Sequence, residues 1–346
     1  MSSPASRIQE LDALRGIAAI AVMLFHFTYR FGELYGYQST PPVQFTQGSY
    51  GVQLFFLISG FVIFMTLNRT QRPLDFVVSR TSRLYPTYWA ALISTFTIVS
   101  VFGLPGRELG WFPFLANFTM MQSFVPGVSS VDGVYWTLAV ELCFYCVMFG
   151  VYTCNQMQRI EWIGLLWIGL SLVEEITPLR DVFIGKLLNL FLILNYAYLF
   201  VGGICFYKIF TKTATKLTYA TLIASVTMVP VFTPVDGLLA VFISYGIFGL
   251  FLTGNLRVLN ARLFVFMGTI SYALYLVHQN IGYVVMLEIR DRGHSENWGI
   301  VGAMVVAITL ATAITYLVEK PLISLIRSHY KNWKERGPVL ASGAAS

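Results

Sequence analysis

Residues 50–68 read YGVQLFFLISGFVIFMTLN, nineteen consecutive positions without an Asp, Glu, Lys or Arg. As a helix this stretch is about 28 Å long, close to the roughly 30 Å hydrocarbon core of a bilayer. Water has no use for a helix that is apolar on every side, whereas in lipid a helix satisfies its own backbone and needs no polar face. The same pattern recurs along the chain, and ten spans are expected: 12–30, 50–68, 85–103, 135–154, 160–174, 188–207, 217–232, 236–254, 263–286 and 298–318. The runs are continuous rather than alternating, which excludes a β-barrel. The expected fold is an all-α polytopic transmembrane bundle. Residues 1–336 form a single domain, and the small, weakly polar stretch 337–346 is a disordered tail.

Composition agrees. Hydrophobic residues are 56% of the 346 and charged residues only 12%, against about 25% charged in soluble domains. The net charge of +6 is not gathered on one soluble face, as nucleic-acid binding requires; the charges stand in short gaps between apolar runs. On one side of the alternating topology lie sixteen cations: Arg7, Arg69, Arg72, Arg80, Arg83, Arg159, Lys208, Lys212, Lys216, Arg257, Arg262, Lys320, Arg327, Lys331, Lys334 and Arg336. On the other lie six: Arg30, Arg107, Arg180, Lys186, Arg290 and Arg292. The richer side is the cytoplasmic one, so both termini face the cytoplasm and the long loop 104–134 faces out. The first apolar run carries Arg15 and His26 and lacks a small-residue cleavage site, so it reads as a retained span. Cys143 and Cys146 have C-x-x-C spacing inside an apolar helix with no cation nearby to favour a thiolate, and read as packing residues. No metal-binding set is evident.

Ionisable side chains inside spans are costly and mark function. Four stand out: Arg15, His26, Glu141 and His278. Eleven positions separate Arg15 from His26, about three turns, which places both on one helix face about 16 Å apart. Topology puts His26, Glu141 and His278 in the outer half, and Arg15, Arg80 and Arg83 at the cytoplasmic end. Thr137, Glu141 and Tyr145 form one stripe, and Ser271, Tyr275 and His278 another. The plain alternative is a polar cluster that glues helices, with Arg80 and Arg83 as ordinary cytoplasmic anchors.

Taken in order, the segments resemble the membrane-bound acyltransferase-3 family, over about residues 7–320. Leu11-Asp12-Ala13-Leu14-Arg15-Gly16 followed by His26 is similar to its first-helix signature. Gly51 to Gly60, with Gln53 and Ser59, is similar to its second-helix motif, and Arg80 to Tyr88 to its Arg-rich start of the third helix. Trp136 to Tyr145, Ser271 to His278 and Val318-Glu319-Lys320-Pro321 match three further segments. The chain departs from the family in having Gln53 where an acid is usual, Leu142 after Glu141 where many members have a second acid, and Asn280 in place of a common Pro.

The resemblance implies a multi-pass enzyme of the cell inner membrane. It would move an acyl group, most simply acetyl, from cytoplasmic acyl-CoA to a hydroxyl of a cell-surface or lipid-linked glycan, with no tightly bound cofactor. Arg15, Arg80, Arg83 and Tyr85 would hold the donor, whose pantetheine arm would span the 16 Å to His26. His26 would be general base, Glu141 would orient or charge-stabilise an imidazole as the third member of a triad does, and His278 and Tyr272 would bind the acceptor or polarise the carbonyl. Asp12, Gln53, Ser59, Trp136 and Ser271 would bind the acceptor or support the site. A transporter or flippase could use the same polar cluster, and a membrane sensor with no chemistry is a third reading. The acceptor's identity, the acyl chain length and the oligomeric state stay open. The charge bias makes a direct prediction: single cysteines in the 69–83 segment label only from the cytoplasm and those in 104–134 only from outside. Labelling of both from one side would overturn the span count.

Overall fold

The computed structural model describes residues 8–39, 41 and 43–336, and every regular element among them is helical. Arg7 and the 337–346 tail lie outside the described residues. The elements are α1 (Gln9–Tyr35), α2 (Thr46–Arg69), α3 (Pro73–Phe102), the short α4 (Trp111–Asn117), α5 (Gly133–Thr153), α6 (Ile160–Ile176), α7 (Phe183–Phe210), α8 (Lys216–Phe232), α9 (Val235–Leu252), α10 (Arg262–Asp291) and α11 (Glu296–Glu335). Each of the ten expected segments thus falls on a helix, but seven are long and apolar enough to cross a membrane: α1, α2, α3, α5, α7, α9 and α11. The shortfall has two causes. At 17 residues α6 is about 26 Å long, and α8 is short as well. By contrast α10 has 30 residues but places Ser271, Tyr275, His278, Gln279 and Asn280 in its middle, all buried.

Glycine sets where the helices touch. A Cβ on Gly16 would lie 2.6 Å from the Gly268 nitrogen, and one on Gly268 would lie 2.2 Å from the Asp12 carbonyl oxygen. So α1 and α10 meet backbone to backbone, as small residues permit in a bilayer. The same device joins α2 to the second half of α7: Cβ atoms on Gly60 and Gly203 would meet the Phe200 and Leu57 carbonyl oxygens at 2.1 and 2.0 Å. The stretch quoted at the outset therefore spans the membrane and also docks a partner helix. Beyond Gly16, α1 continues to His26, where α bonding widens to π over His26–Arg30 before resuming over Phe31–Tyr35. Such widened turns recur at functional sites.

Two irregularities have clear partners. The chain of α7 breaks at Ile193, which has a left-handed φ of 47°. Two of the carbonyls released there are taken up by Trp167 Nε1 at 2.6 Å (Leu192) and Cys143 Sγ at 3.4 Å (Leu190), as backbone acceptors within a bilayer require. In the 104–134 loop, α4 presents Trp111 and Phe112, 71% and 72% exposed, while Phe114 stacks on Phe96 with ring centroids 3.9 Å apart. This is how an interfacial aromatic anchor is built.

Gly268→Val should drive α1 and α10 apart, costing about 1–3 kcal/mol through overpacking. A clear fall in the Tm of the detergent-solubilised protein would register it. Gly246→Val, where an added Cβ meets nothing within 4 Å, is the control; equal Tm values for the two variants would mean that the helices do not meet at Gly268.

Candidate active site

The contact between α1 and α10 brings His26 and His278 together. Their ring centroids are 4.9 Å apart, and His278 Nε2 lies 3.1 Å from His26 Nδ1. Hydrogen-bond partners assign the tautomers. His278 Nδ1 is 3.1 Å and 2.9 Å from the carbonyl oxygens of Leu274 and Tyr275; carbonyls only accept, so this nitrogen carries the hydrogen and His278 Nε2 is bare. His26 Nδ1 stands between that bare nitrogen and the Val22 carbonyl at 2.8 Å, so it too carries hydrogen. In the uncharged ring the lone pair of His26 is then on Nε2, the nitrogen left for a substrate.

His26 lines an outer chamber of about 300 Å³ together with Arg30, Ser49, Arg107, Trp136 and Gln279. A smaller chamber of about 70 Å³ follows, lined by Arg15, Ser59, Arg83, Glu141, Tyr145, Ser271 and Tyr272. Val52 and Tyr275 line both, so the two chambers adjoin at these side chains, and Thr137 Oγ1 donates to the Tyr275 hydroxyl at 2.9 Å. A third, more open cavity of about 490 Å³ holds Arg69, Asp75, Arg80 and Arg327. With Arg80 and Arg83 three residues apart on α3, guanidinium groups run from this cavity into the inner chamber. Within the inner chamber, Arg15 has Asp12 and Glu141 as anionic neighbours and Arg83 as a cationic one.

Several expected positions shift. Glu141 does not orient an imidazole: its Oε1 accepts from Ser59 Oγ at 3.1 Å and from the Tyr145 hydroxyl. It sits beside Arg15 and Arg83, and the orienting contact to His26 comes from His278. Tyr272 is likewise on the inner side, donating to the Leu84 carbonyl at 3.2 Å, so it does not share the acceptor side with His278. Tyr85 leaves the arginines and donates to the Thr119 carbonyl at 3.2 Å, because two helical steps turn it about 200° away from Arg83. Ser271 lines the inner chamber with its hydroxyl given to Gly268 O at 2.9 Å. Trp136 walls the outer chamber and packs on Tyr196. Gln53 lines neither chamber, and its buried carbonyl oxygen has no hydrogen-bond partner among the described residues.

Sequence reading gave Arg30 and Arg107 only as two of the outer cations, did not single out Gln279, and noted Tyr275 only as a face neighbour of His278. It also passed over Asp132, a fully buried loop carboxylate that accepts from Val134 N at 3.1 Å and Asn280 N at 2.9 Å. Burial pushes this carboxyl up to about 7, against the pull of the two N–H donors. Asn280 also gives its side-chain amide to the Val131 carbonyl at 2.9 Å. The residue that departs from the family's usual proline therefore supplies a backbone N–H that proline lacks, and it ties the loop to α10 beside His278.

A family model described as an acyltransferase domain matches residues 8–318. The chain belongs to the acyltransferase-3 family. It is similar to the "Exopolysaccharide production protein ExoZ" of Rhizobium meliloti (strain 1021), 29% identical over 171 residues, 46% of this chain and 48% of that protein. It is also similar to an "O-acetyl transferase" of Shigella phage Sf6, 25% identical over 233 residues, 62% and 67% of the two chains. A third relative, the "Acyltransferase MdmB" of Streptomyces mycarofaciens, is 26% identical over 148 residues, 40% of this chain and 38% of that one. The chain thus spans about half the length of ExoZ and less of MdmB. No solved structure matches it significantly.

The 3.1 Å contact between the imidazoles makes a testable case for His278 as a positioning residue for His26. His278→Leu removes the side-chain acceptor for His26 Nδ1–H and leaves only the Val22 carbonyl, whereas His278→Gln can present an amide oxygen there. Acyl-transfer kinetics should show the Leu variant losing at least tenfold in kcat with its donor KM little moved, and the Gln variant recovering part of the loss. Equal activity in Leu and wild type would remove the positioning role.

Proposed function

We propose that this chain is an integral membrane O-acyltransferase of the inner membrane. It transfers an acyl group, most simply acetyl, from cytoplasmic acyl-CoA to a hydroxyl of a glycan acceptor, in a ten-span topology with both termini cytoplasmic. The observation that carries the reading is the series of cavities: guanidiniums line the two inner ones, and His26 lines the outer one across a neck of Val52 and Tyr275. Guanidiniums bind phosphates bidentately. Arg80 would meet the nucleotide phosphates first, with Arg15 and Arg83 further in, and Glu141 would hold these two cations in place before the donor arrives. The extended pantetheine arm would carry the thioester through the neck, over the roughly 16 Å between Arg15 and His26 along α1.

In the outer chamber, His26 Nε2 takes the proton of the acceptor hydroxyl as the oxygen attacks the thioester carbonyl. The C–S bond breaks, and the proton passes from His26 to the departing thiolate, giving CoA and the acyl ester. His278 accepts from His26 Nδ1–H throughout, keeping the lone pair of His26 on the reacting side. The relative named an O-acetyl transferase supports the acetyl group and the oxygen acceptor.

A general base contributes about 10²–10⁴-fold, so His26→Ala should lose at least about a hundredfold in turnover. His26→Gln should be equally inactive, since an amide cannot take the proton. Arg15→Ala, Arg80→Ala and Arg83→Ala should raise the KM for acyl-CoA more than that for the acceptor. Near-normal transfer by a well-folded His26→Gln variant would remove His26 as base, and an unchanged donor KM in all three arginine variants would remove the phosphate site.

A further inference from the structure

The outer chamber contains charges that the chemistry above does not use. Apart from Tyr275, the ionisable groups lining it are His26, Arg30 and Arg107, and no carboxylate is among its described lining residues. The nearby acids are engaged elsewhere. Glu33 pairs with Arg30 at 2.7 Å on the exposed side, and Glu108 Oε1 accepts the Leu104 N–H at 3.2 Å. Asp132 is held by two backbone N–H groups, and Asp236 accepts from the Tyr50 hydroxyl at 3.3 Å. Arg107 stands close to the Tyr35 hydroxyl and forms no ion pair among the described residues. Among the described residues Arg107 is in no ion pair, its carboxylate neighbour Asp132 being held by backbone N–H groups, and Arg30 is only partly compensated; these two guanidiniums flank the proposed base, in a cavity open enough to admit a sugar.

A neutral sugar offers guanidinium groups only hydroxyl oxygens, whereas a carboxylate or phosphate matches their forked donors with opposite charge. Resting on the reading that this chamber is the acceptor side, we infer that the acceptor is anionic: a glycan with an oxyanion close to the hydroxyl that is acylated, held by Arg107 together with Arg30. The oxyanion is either a carboxylate on the sugar or the phosphate of a lipid carrier. Both have the same chemistry toward arginine, and different probes separate them.

The test uses the purified full chain in phosphatidylcholine nanodiscs with three probes: p-nitrophenyl β-D-glucuronide, p-nitrophenyl β-D-glucoside and a short-chain polyprenyl diphosphate glucose. Equilibrium binding is measured alongside acetyl transfer from acetyl-CoA. One of the two anionic probes should bind on the order of tenfold or more tighter than the glucoside at low salt, and the advantage should shrink as salt is raised. Arg107→Gln and Arg30→Gln should each reduce that preference, and Arg107→Lys should retain part of it. Preference for the glucuronide assigns the sugar carboxylate; preference for the diphosphate assigns the carrier. Equal binding of all three probes by wild type, or a preference untouched in both Gln variants when these elute as wild type does, would overturn the inference. Acetylation of the glucoside with kcat/KM equal to that of both anionic probes would also overturn it and leave acyl transfer standing. Arginine-dependent binding of an anionic probe with no acetylation of any probe would instead sink the acyl-transfer reading and leave the anion site.

Discussion

Gly16 and Gly268 let two helices touch at their backbones, and much of the site follows from that contact. A side chain at either position would push α1 away from α10, and ten residues further along each helix the two imidazoles would lose their 3.1 Å contact. In lipid there is no hydrophobic driving force between apolar helices, so close packing and interhelical hydrogen bonds must hold them. The molecule uses glycine contacts for the first and the His26–His278 bond for the second, on the same pair of helices.

Order within the bundle then separates the charges. Arg15 and Arg83 face Glu141 on one side of the neck, and His26 faces Arg30 and Arg107 on the other. A carboxylate on the His26 side would compete for the proton and for the arginines; on the Arg15 side it offsets one of two guanidiniums that would otherwise repel each other. The position of Glu141 is thus explained by electrostatics, although it departs from the arrangement of a hydrolytic triad.

Much of this was legible in the chain. The apolar runs located the helices, and helical periodicity placed Arg15 and His26 on one face because both lie on one regular element. What sequence could not resolve was position across elements. Assigning Glu141 to the outer half of its span was too coarse, because α5 passes from one chamber to the other between Trp136 and Glu141, little more than a single turn. Arg30 and Arg107 were visible only as two of six charges on one side, since a loop and a helix end that meet in space carry no common period. The short lengths of α6 and α8 were not legible, because composition reports apolarity more readily than length.

The neck of Val52 and Tyr275 has a consequence for energetics across the bilayer. On the proposed route the acyl group passes outward through it as an acyl cation equivalent, leaving its electrons with sulfur. The acceptor's proton passes inward through the same neck and leaves on the CoA thiol. One positive equivalent goes each way, so the exchange is electroneutral, and the membrane potential does no work on it in either direction. The net driving force of transfer would then come from the thioester alone, and be equal in an energised and a depolarised membrane.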